Sequence, residues 1–326
     1  MALQLILGNS GAGKSHYMFE KMIHQSMEEP GRQFFVIVPE QFTMQTQKDL
    51  VGMHPRHGIM NIDVLSFERL AHRIFEEVGG EHRKILEDTG KNMVLRRLAE
   101  ENKDRLTLLG GNLKKLGYIT EVKSLLSELV QYRIGPGDLE RMMNKNQDNP
   151  QLYYKLQDMK LIYESFEEYL SHTYLTAEQL LEALEETVER SASMKDSVIV
   201  LDGYTGFTPV QLKLLGKLLR LSSEVYVALT LDNEEDPFIS GGEHQLFYLT
   251  KKTIRDLCRT AEEAGITVRK PLILGGDHVW RFDHAPALGF LEHRVFRHGR
   301  EFWGEPTDQL TLYAARSPRA EAEEIG

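Results

Sequence analysis

The sequence is short of cysteine, of long apolar runs and of positive charge, and each shortage excludes something. One cysteine, Cys258, stands in 326 residues, so no internal disulfide framework and no all-cysteine metal site can form within them. A reducing compartment suits such a chain. No stretch approaches the ~18 consecutive apolar residues of a membrane span, and the N-terminus has no basic, apolar leader. Lys and Arg number 39 against 49 Asp and Glu, a net charge of −10. That balance argues against a freestanding nucleic-acid binder of the basic-patch kind, while leaving room for a local groove or a site shared with a partner. What remains is 41% apolar and 27% charged, the composition of a globular chain expected in the cytoplasm with no membrane partner. Its length allows one large domain or two ordinary ones.

Leu3 to Leu7 is a short apolar run ended by Gly8, the pattern of a strand buried on both faces. From Ser15 the spacing turns helical, with Met18, Met22 and Ile23 apolar, until Glu28-Glu29-Pro30-Gly31 closes it. Phe34 to Val38 and Ile62 to Leu65 read as further buried strands, and Ser66 to Val78 as a helix. Strand, helix, strand and strand within ~80 residues predict a parallel α/β sheet. From about Glu81 to Ser193 helical periodicity takes over, broken at Gly110-Gly111, Gly135-Pro136-Gly137 and Asn149-Pro150. A capping box is expected at Thr176 and Gln179. Strands return at Ser197 to Leu201, Val225 to Leu229, Thr267-Val268 and Leu272 to Leu274, with helices over Pro209 to Leu221 and about Phe247 to Ala264. The expected division is 1–80 plus 195–290 as one α/β domain and 81–194 as an all-helical insertion. Residues 291–326 read as the truncated start of a following domain, opening with a strand at Gln309 to Ala314 and a helix from Arg316.

Gly8-Asn9-Ser10-Gly11-Ala12-Gly13-Lys14-Ser15 matches G-x-x-x-x-G-K-[ST] throughout. Small residues there let backbone N–H groups curl around a β-phosphate, and the following helix presents its positive N-terminus to the anion. The pattern predicts a cradle for a nucleoside triphosphate, ATP with Mg²⁺. Lys14 is expected on the β/γ oxygens and the Ser15 hydroxyl on the metal. Val198 to Leu201 ends at Asp202, the expected second Mg²⁺ residue, and Gly203 follows where motor ATPases place a glutamate. The plainer readings are a chance glycine-rich turn and an ordinary Asp-Gly turn. G-x-x-G-A-G-K-S also fits small-molecule P-loop kinases, against which stand the chain length, the helical insertion and the lack of an Arg-rich lid. His278, His284, His293 and His298, with Asp277 and Asp283, match no compact ligand spacing and read as a solvated face. Arg294, Arg297, Arg300 and Arg319 with Lys114, Lys115 and Lys123 fit a DNA channel or an exposed charged surface.

Four segments occur in order: Ile6 through Ser15, Val36-Ile37-Val38-Pro39-Glu40-Gln41-Phe42-Thr43, Asp63-Val64-Leu65-Ser66-Phe67-Glu68-Arg69-Leu70-Ala71 and Asp202-Gly203-Tyr204-Thr205-Gly206-Phe207-Thr208-Pro209. Together they resemble the N-terminal part of AddB, the B subunit of the bacterial AddAB ATP-dependent helicase/nucleases, over essentially the whole chain. The resemblance implies a superfamily 1 helicase-like fold, a P-loop sheet of 1A type interrupted by a 1B-type helical insertion. It implies a heterodimer with an AddA-type subunit, acting on DNA ends in recombinational double-strand break repair, with AddB scanning for a hotspot sequence. Carried over by position, Gln41 to Thr43 and Ser66-Phe67 fall on loops facing single-stranded DNA. Thr43 and Ser66 would then meet phosphate, and Phe42 or Phe67 would stack on bases. Phe67 also reads as core, because it opens an amphipathic helix with Leu70 and Ile74. The full-length family carries a nuclease domain and a 4Fe-4S cluster further along, and the single Cys258 cannot ligate a cluster. Three departures are visible: Gly203 in place of the glutamate, only seven residues before Gly8 where an adenine-reading glutamine would lie, and an arginine finger expected beyond Gly326. The expectation is therefore an ATP-binding, DNA-scanning scaffold and not a motor, with a competent DNA-stimulated ATPase as the alternative.

Overall fold

The computed structural model describes residues 1–79, 81, 83–111, 115–171, 173–239, 241–276, 279–297 and 299–325. Lys114, Asp277, His278 and His298 lie outside the described residues. Nine strands are present among those described. β1 (Ala2–Gly8), β2 (Phe34–Ile37), β3 (Ile62–Leu65), β6 (Val198–Leu201), β7 (Glu224–Thr230), β8 (Thr267–Val268) and β9 (Leu272–Leu274) form one sheet; β4 (Lys84–Ile85) and β5 (Tyr174–Leu175) pair apart from it. The large sheet runs β3-β2-β6-β7-β1-β8, with β9 also on β1, and every pairing is parallel.

Strands covered on both sides are apolar along most of their length, and the central β2 and β6 are apolar and buried throughout. Leu3, Leu5 and Leu7 of β1, Phe35 and Ile37 of β2 and Ile199 and Leu201 of β6 join one core. Ile6, Phe34, Val36, Val198 and Val200 point the other way into a second. Helices α1 (Lys14–Glu28) and α2 (Thr43–Met53) cover the second face through Met18, Met22, Ile23 and Leu50. The first face is covered by α3 (Phe67–Val78), α8 (Ala177–Thr187), α9 (Pro209–Leu221) and α10 (Tyr248–Glu263). Each Leu or Phe buried this way contributes roughly 1.5–3 kcal/mol, so the two layers hold the sheet rigidly.

Between β3 and β6 the chain builds α4 (Asp88–Glu101), α5 (Leu116–Gln131), α6 (Pro136–Lys145) and α7 (Pro150–Leu170) around their own core of Val94, Leu95, Ile119, Leu126, Ile162 and Phe166. Asp158, 1% exposed, accepts the amides of Thr107, Leu108 and Leu109 at 2.7–2.9 Å and pins the loop before α5. Lys84 and Ile85 lie in register with Tyr174 and Leu175, so the chain leaves and re-enters at one place. The expected capping box is present: Thr176 Oγ1 accepts from Gln179 N, and Gln179 Oε1 from Thr176 N.

After α11 (Pro286–Arg294) the expected strand at Gln309 to Ala314 is not formed; this stretch is coil, and α12 (Pro318–Ile325) follows. Leu312 is fully exposed and Tyr313 largely so. Among the described residues no strand pairs with it, and an apolar run without a paired neighbour does not stand as a strand. Among the described residues no helix is long and apolar enough to cross a membrane.

Candidate functional site

The β1 strand is paired along its whole length, to β7 on one side and to β8 and β9 on the other, up to Gly8. The turn from Asn9 to Gly13 therefore leaves a fixed point. Helix α1 begins directly after Gly13, with no side-chain cap on its first turn. Helix geometry leaves the leading amides unpaired there, and the macrodipole adds partial positive charge. Lys14 folds back across the loop, its Nζ donating to the carbonyls of Gly8 (2.9 Å) and Asn9 (2.8 Å). Burial brings its ammonium down to about 8, a fall that Asp202 opposes and Arg281 deepens.

A cleft of about 620 Å³ opens over this loop. It is lined by Gly13, Lys14 and Ser15 on one side and by Asp202, Gly203 and Tyr204 on the other. Asp202 sits at the end of β6, two strands from β1, with Ala228 and Thr230 of β7 between them. One Asp202 oxygen accepts its neighbour's Gly203 N–H at 2.9 Å. Gly203 holds φ +77°, and a Cβ there would stand 3.3 Å from Pro39 Cδ and 3.4 Å from Phe42 Cδ2. The left-handed backbone and these close neighbours make any side chain at the position after Asp202 strained.

The turn at Trp280–Phe282 closes the cleft from above. Arg281 Nη1 donates to Ser10 Oγ at 2.9 Å, and its Cβ would be 2.4 Å from a Cβ on Gly11. The chain reaches this place because β9 runs parallel to β1, so the loops after both strands leave at the same end. Asn233 fastens the arrangement: its N–H reaches Asn9 Oδ1 (3.2 Å) and its Nδ2 the carbonyl of Gly276 (3.0 Å).

Beyond Gly203 lie the loops after β2 and β3. Thr43 and Ser66 are both buried. The Thr43 hydroxyl donates to Glu40 O at 2.9 Å, while Ser66 Oγ caps α3 by accepting from Arg69 N at 3.3 Å. The Ser66 hydroxyl and the Arg69 guanidinium hold the Glu40 carboxyl below its ordinary range. Phe67 is 5% exposed, its ring 5.5 Å from Tyr204, which in turn stands 5.2 Å from Phe207. A ring so covered has no face open to a base. Phe42, beside Gly203, is 46% exposed.

The family described as ADDB, N-terminal matches residues 5–292. This chain belongs to that AddB N-terminal family. Over 325 residues it is 43% identical to the B subunit of the ATP-dependent helicase/deoxyribonuclease of Lachnoclostridium phytofermentans, covering 99% of this chain and 28% of that protein. It is 35% identical over 325 residues to the protein of the same name from Caldanaerobacter subterraneus, and 34% identical over 332 residues to that from Geobacillus kaustophilus, each alignment covering 100% of this chain and 28% of the relative. The chain thus spans about a quarter of the length of these curated relatives.

In this AddB-family chain Trp280 and Arg281 line the cleft beside the glycine-rich loop, and the sequence alone gives no sign of it. Neither belongs to a local motif; only strand order brings them there. Four of the basic residues singled out in the sequence are held in ion pairs: Arg297 with Asp232 and Glu234, Arg294 with Glu301, Lys123 with Asp88, and Arg319 with Glu323. Among the described residues no group of three or more His, Cys, Asp or Glu is placed to hold a metal ion.

Proposed function

We propose that this chain binds ATP with Mg²⁺ in the cleft over Gly8–Ser15, and that it serves a DNA-end-processing helicase/nuclease as a nucleotide-binding scaffold and not as its motor. The observation that carries the reading is the meeting of Lys14, Ser15, Asp202 and Arg281 around one cleft at the start of α1. The donor set fits the ligand: two cations and unpaired helix amides for phosphate oxygens, one hydroxyl and one carboxylate for a hard divalent metal. Lys14 would exchange the loop carbonyls for β/γ oxygens, and Arg281 would exchange Ser10 for the terminal phosphate. Ser15 and Asp202 would hold the Mg²⁺, which when bound neutralises phosphate charge. Position 203 offers no group to take a proton from water, which supports slow or absent hydrolysis.

DNA would pass over the loops beside Gly203, where Phe42 is the open aromatic and Arg69, exposed beside Glu40, is a cation within reach of phosphate. The expected boundary at 194 moves, because α8 packs on the sheet through Leu180 and Leu184: we read 1–85 with 174–290 as the nucleotide domain, 86–173 as the 1B-like insertion and 291–326 as the start of a further domain. An AddA-type subunit is the proposed partner. The iron–sulfur cluster implied for full-length members does not fit this stretch: Cys258 is its one thiol, half-buried on α10, where burial pushes its pKa up.

Lys14→Ala tests the reading. Affinity for a fluorescent ATP analogue with Mg²⁺ should fall at least about tenfold, a loss of ~1.4 kcal/mol, while the ligand-free melting temperature stays within a few degrees. Unchanged affinity would overturn the proposal. DNA-stimulated phosphate release by the unaltered chain would instead favour a working ATPase.

A further inference from the structure

On the face of the sheet opposite α1, a groove of about 1050 Å³ runs between α9 and α10. It begins at Thr205, which also lines the cleft over the glycine-rich loop. Thr253 of α10 reaches the Thr205 carbonyl at 3.2 Å, so the groove wall and the Asp202 loop touch.

Its charge differs from that of the whole molecule. Six cationic side chains line it against three acidic ones, a local balance of +3 in a chain of −10. Lys213, Lys217 and Arg220 form one stripe on α9, at the i, i+4, i+7 spacing that puts residues on one helix face. Two of the three carboxylates are already compensated. Glu185 meets Lys217 at 3.0 Å, Arg133 at 3.2 Å and Lys213 at 3.5 Å, and Asp256 meets Arg259 at 2.8 Å. Arg220 and Lys252 are exposed on opposite walls, and among the described residues neither has an ion-pair partner. The floor is small or apolar: Gly206, Gly216, Leu212 and Thr260.

We propose that this groove docks an acidic, amphipathic α-helix of a partner protein. α9 has 13 residues and α10 has 16, so the trough is roughly 20–24 Å long, the length of a four-turn helix about 10 Å wide. An apolar seam on the incoming helix would meet Leu212 and the glycines, while its acids would meet Arg220 and Lys252 on either rim. The three carboxylates favour this occupant over nucleic acid. Along α10 Asp256 and Glu263 interrupt the basic positions Lys252 and Arg259, and the separate acids of a helix can be spaced to avoid them where a continuous phosphate backbone cannot. Because Thr205 belongs to both cavities, a docked helix would press on the loop that carries Asp202.

The test uses fluorescence anisotropy on the 326-residue chain. The probes are a labelled synthetic helix of about 16 residues with one Glu stripe and one Leu stripe, its Glu-to-Lys counterpart, and labelled oligothymidylate. The acidic helix should bind saturably and weaken with added salt. Arg220→Glu with Lys252→Glu should reduce its affinity at least about tenfold and bring binding of the lysine helix instead. Both positions are exposed, and Arg220→Ala with Lys252→Ala serves if the reversal lowers the melting temperature. No saturable peptide binding, or affinity unmoved by either pair, overturns the proposal. Oligothymidylate binding that these variants abolish, with no peptide binding, makes the groove a nucleic-acid site and overturns it too. ATP binding, measured on the same variants, is expected to persist, so failure here is distinct from failure of the nucleotide reading.

Discussion

At the scale of single residues, Gly203 and the two phenylalanines decide what the site can do. Gly203 is held at φ +77° against Pro39 and Phe42. A left-handed backbone costs a residue with a Cβ roughly 1–2 kcal/mol. Gly203→Glu should therefore lower stability by about that much in urea titration, and phosphate-release assays should show no gain in ATP turnover. Phe67 and Phe42 lie on adjacent loops with opposite surroundings. Phe67→Ala should cost ~3–5 kcal/mol of stability through the cavity it leaves. Phe42→Ala should leave the melting temperature nearly unchanged yet weaken oligonucleotide binding by ~1–3 kcal/mol, the worth of one stacked base. Equal effects of the two on stability would contradict these placements. The sequence placed the glycine-rich loop correctly between strand and helix, because both neighbours are local. It left Phe67 open between core and base contact, since helical periodicity cannot say which partner covers the first turn.

At the scale of elements, α3 guides the chain into β6. Glu77 near its end accepts four hydrogen bonds from Ser191, Ala192 and Ser193, at 2.5–3.0 Å, just before Asp202's strand begins. Burial alone would raise the Glu77 carboxyl, but the bonds from Ser193 and Ser191 and the Ala192 amide win and bring it down to about 2. The unfolded chain holds this proton at its ordinary value, 4.5. The folded-state pKa is depressed, so the stabilisation is present above pH 4.5 and is lost as pH falls toward about 2. The melting-temperature gap between the unaltered chain and Glu77→Gln should accordingly be widest at neutral pH and close across that window. A gap independent of pH would assign these bonds no electrostatic part. Most helix and strand limits were readable because apolar period and caps agree, as at Thr176. The pair Thr208 and Gln211, which caps α9 in the same way, shows the same signature and was read only as the start of a helix. Gln309 to Ala314 misled because its alternation is that of a strand while no described strand pairs with it.

Over the whole molecule, strand order does what no local pattern announces. It places β7 between the loop strand and the Asp202 strand, and it carries Trp280 and Arg281 from about 270 residues away to Gly13 and Ser10. A sheet order requires knowing which strands are neighbours, and short buried strands of similar composition do not encode that one by one. Two sides of the cleft were therefore legible, and the third was not.

The two-residue ladder of β4 and β5 has a practical outcome. Its strands lie a single inter-strand spacing apart, ~4.8 Å, so residues 86–173 resemble a cassette plugged into one socket. Swapping that cassette for a few glycines should leave the remainder able to fold and to retain nucleotide, as calorimetry on the shortened chain would reveal. The same socket would accept a foreign helical bundle, making this scaffold a host for grafted modules.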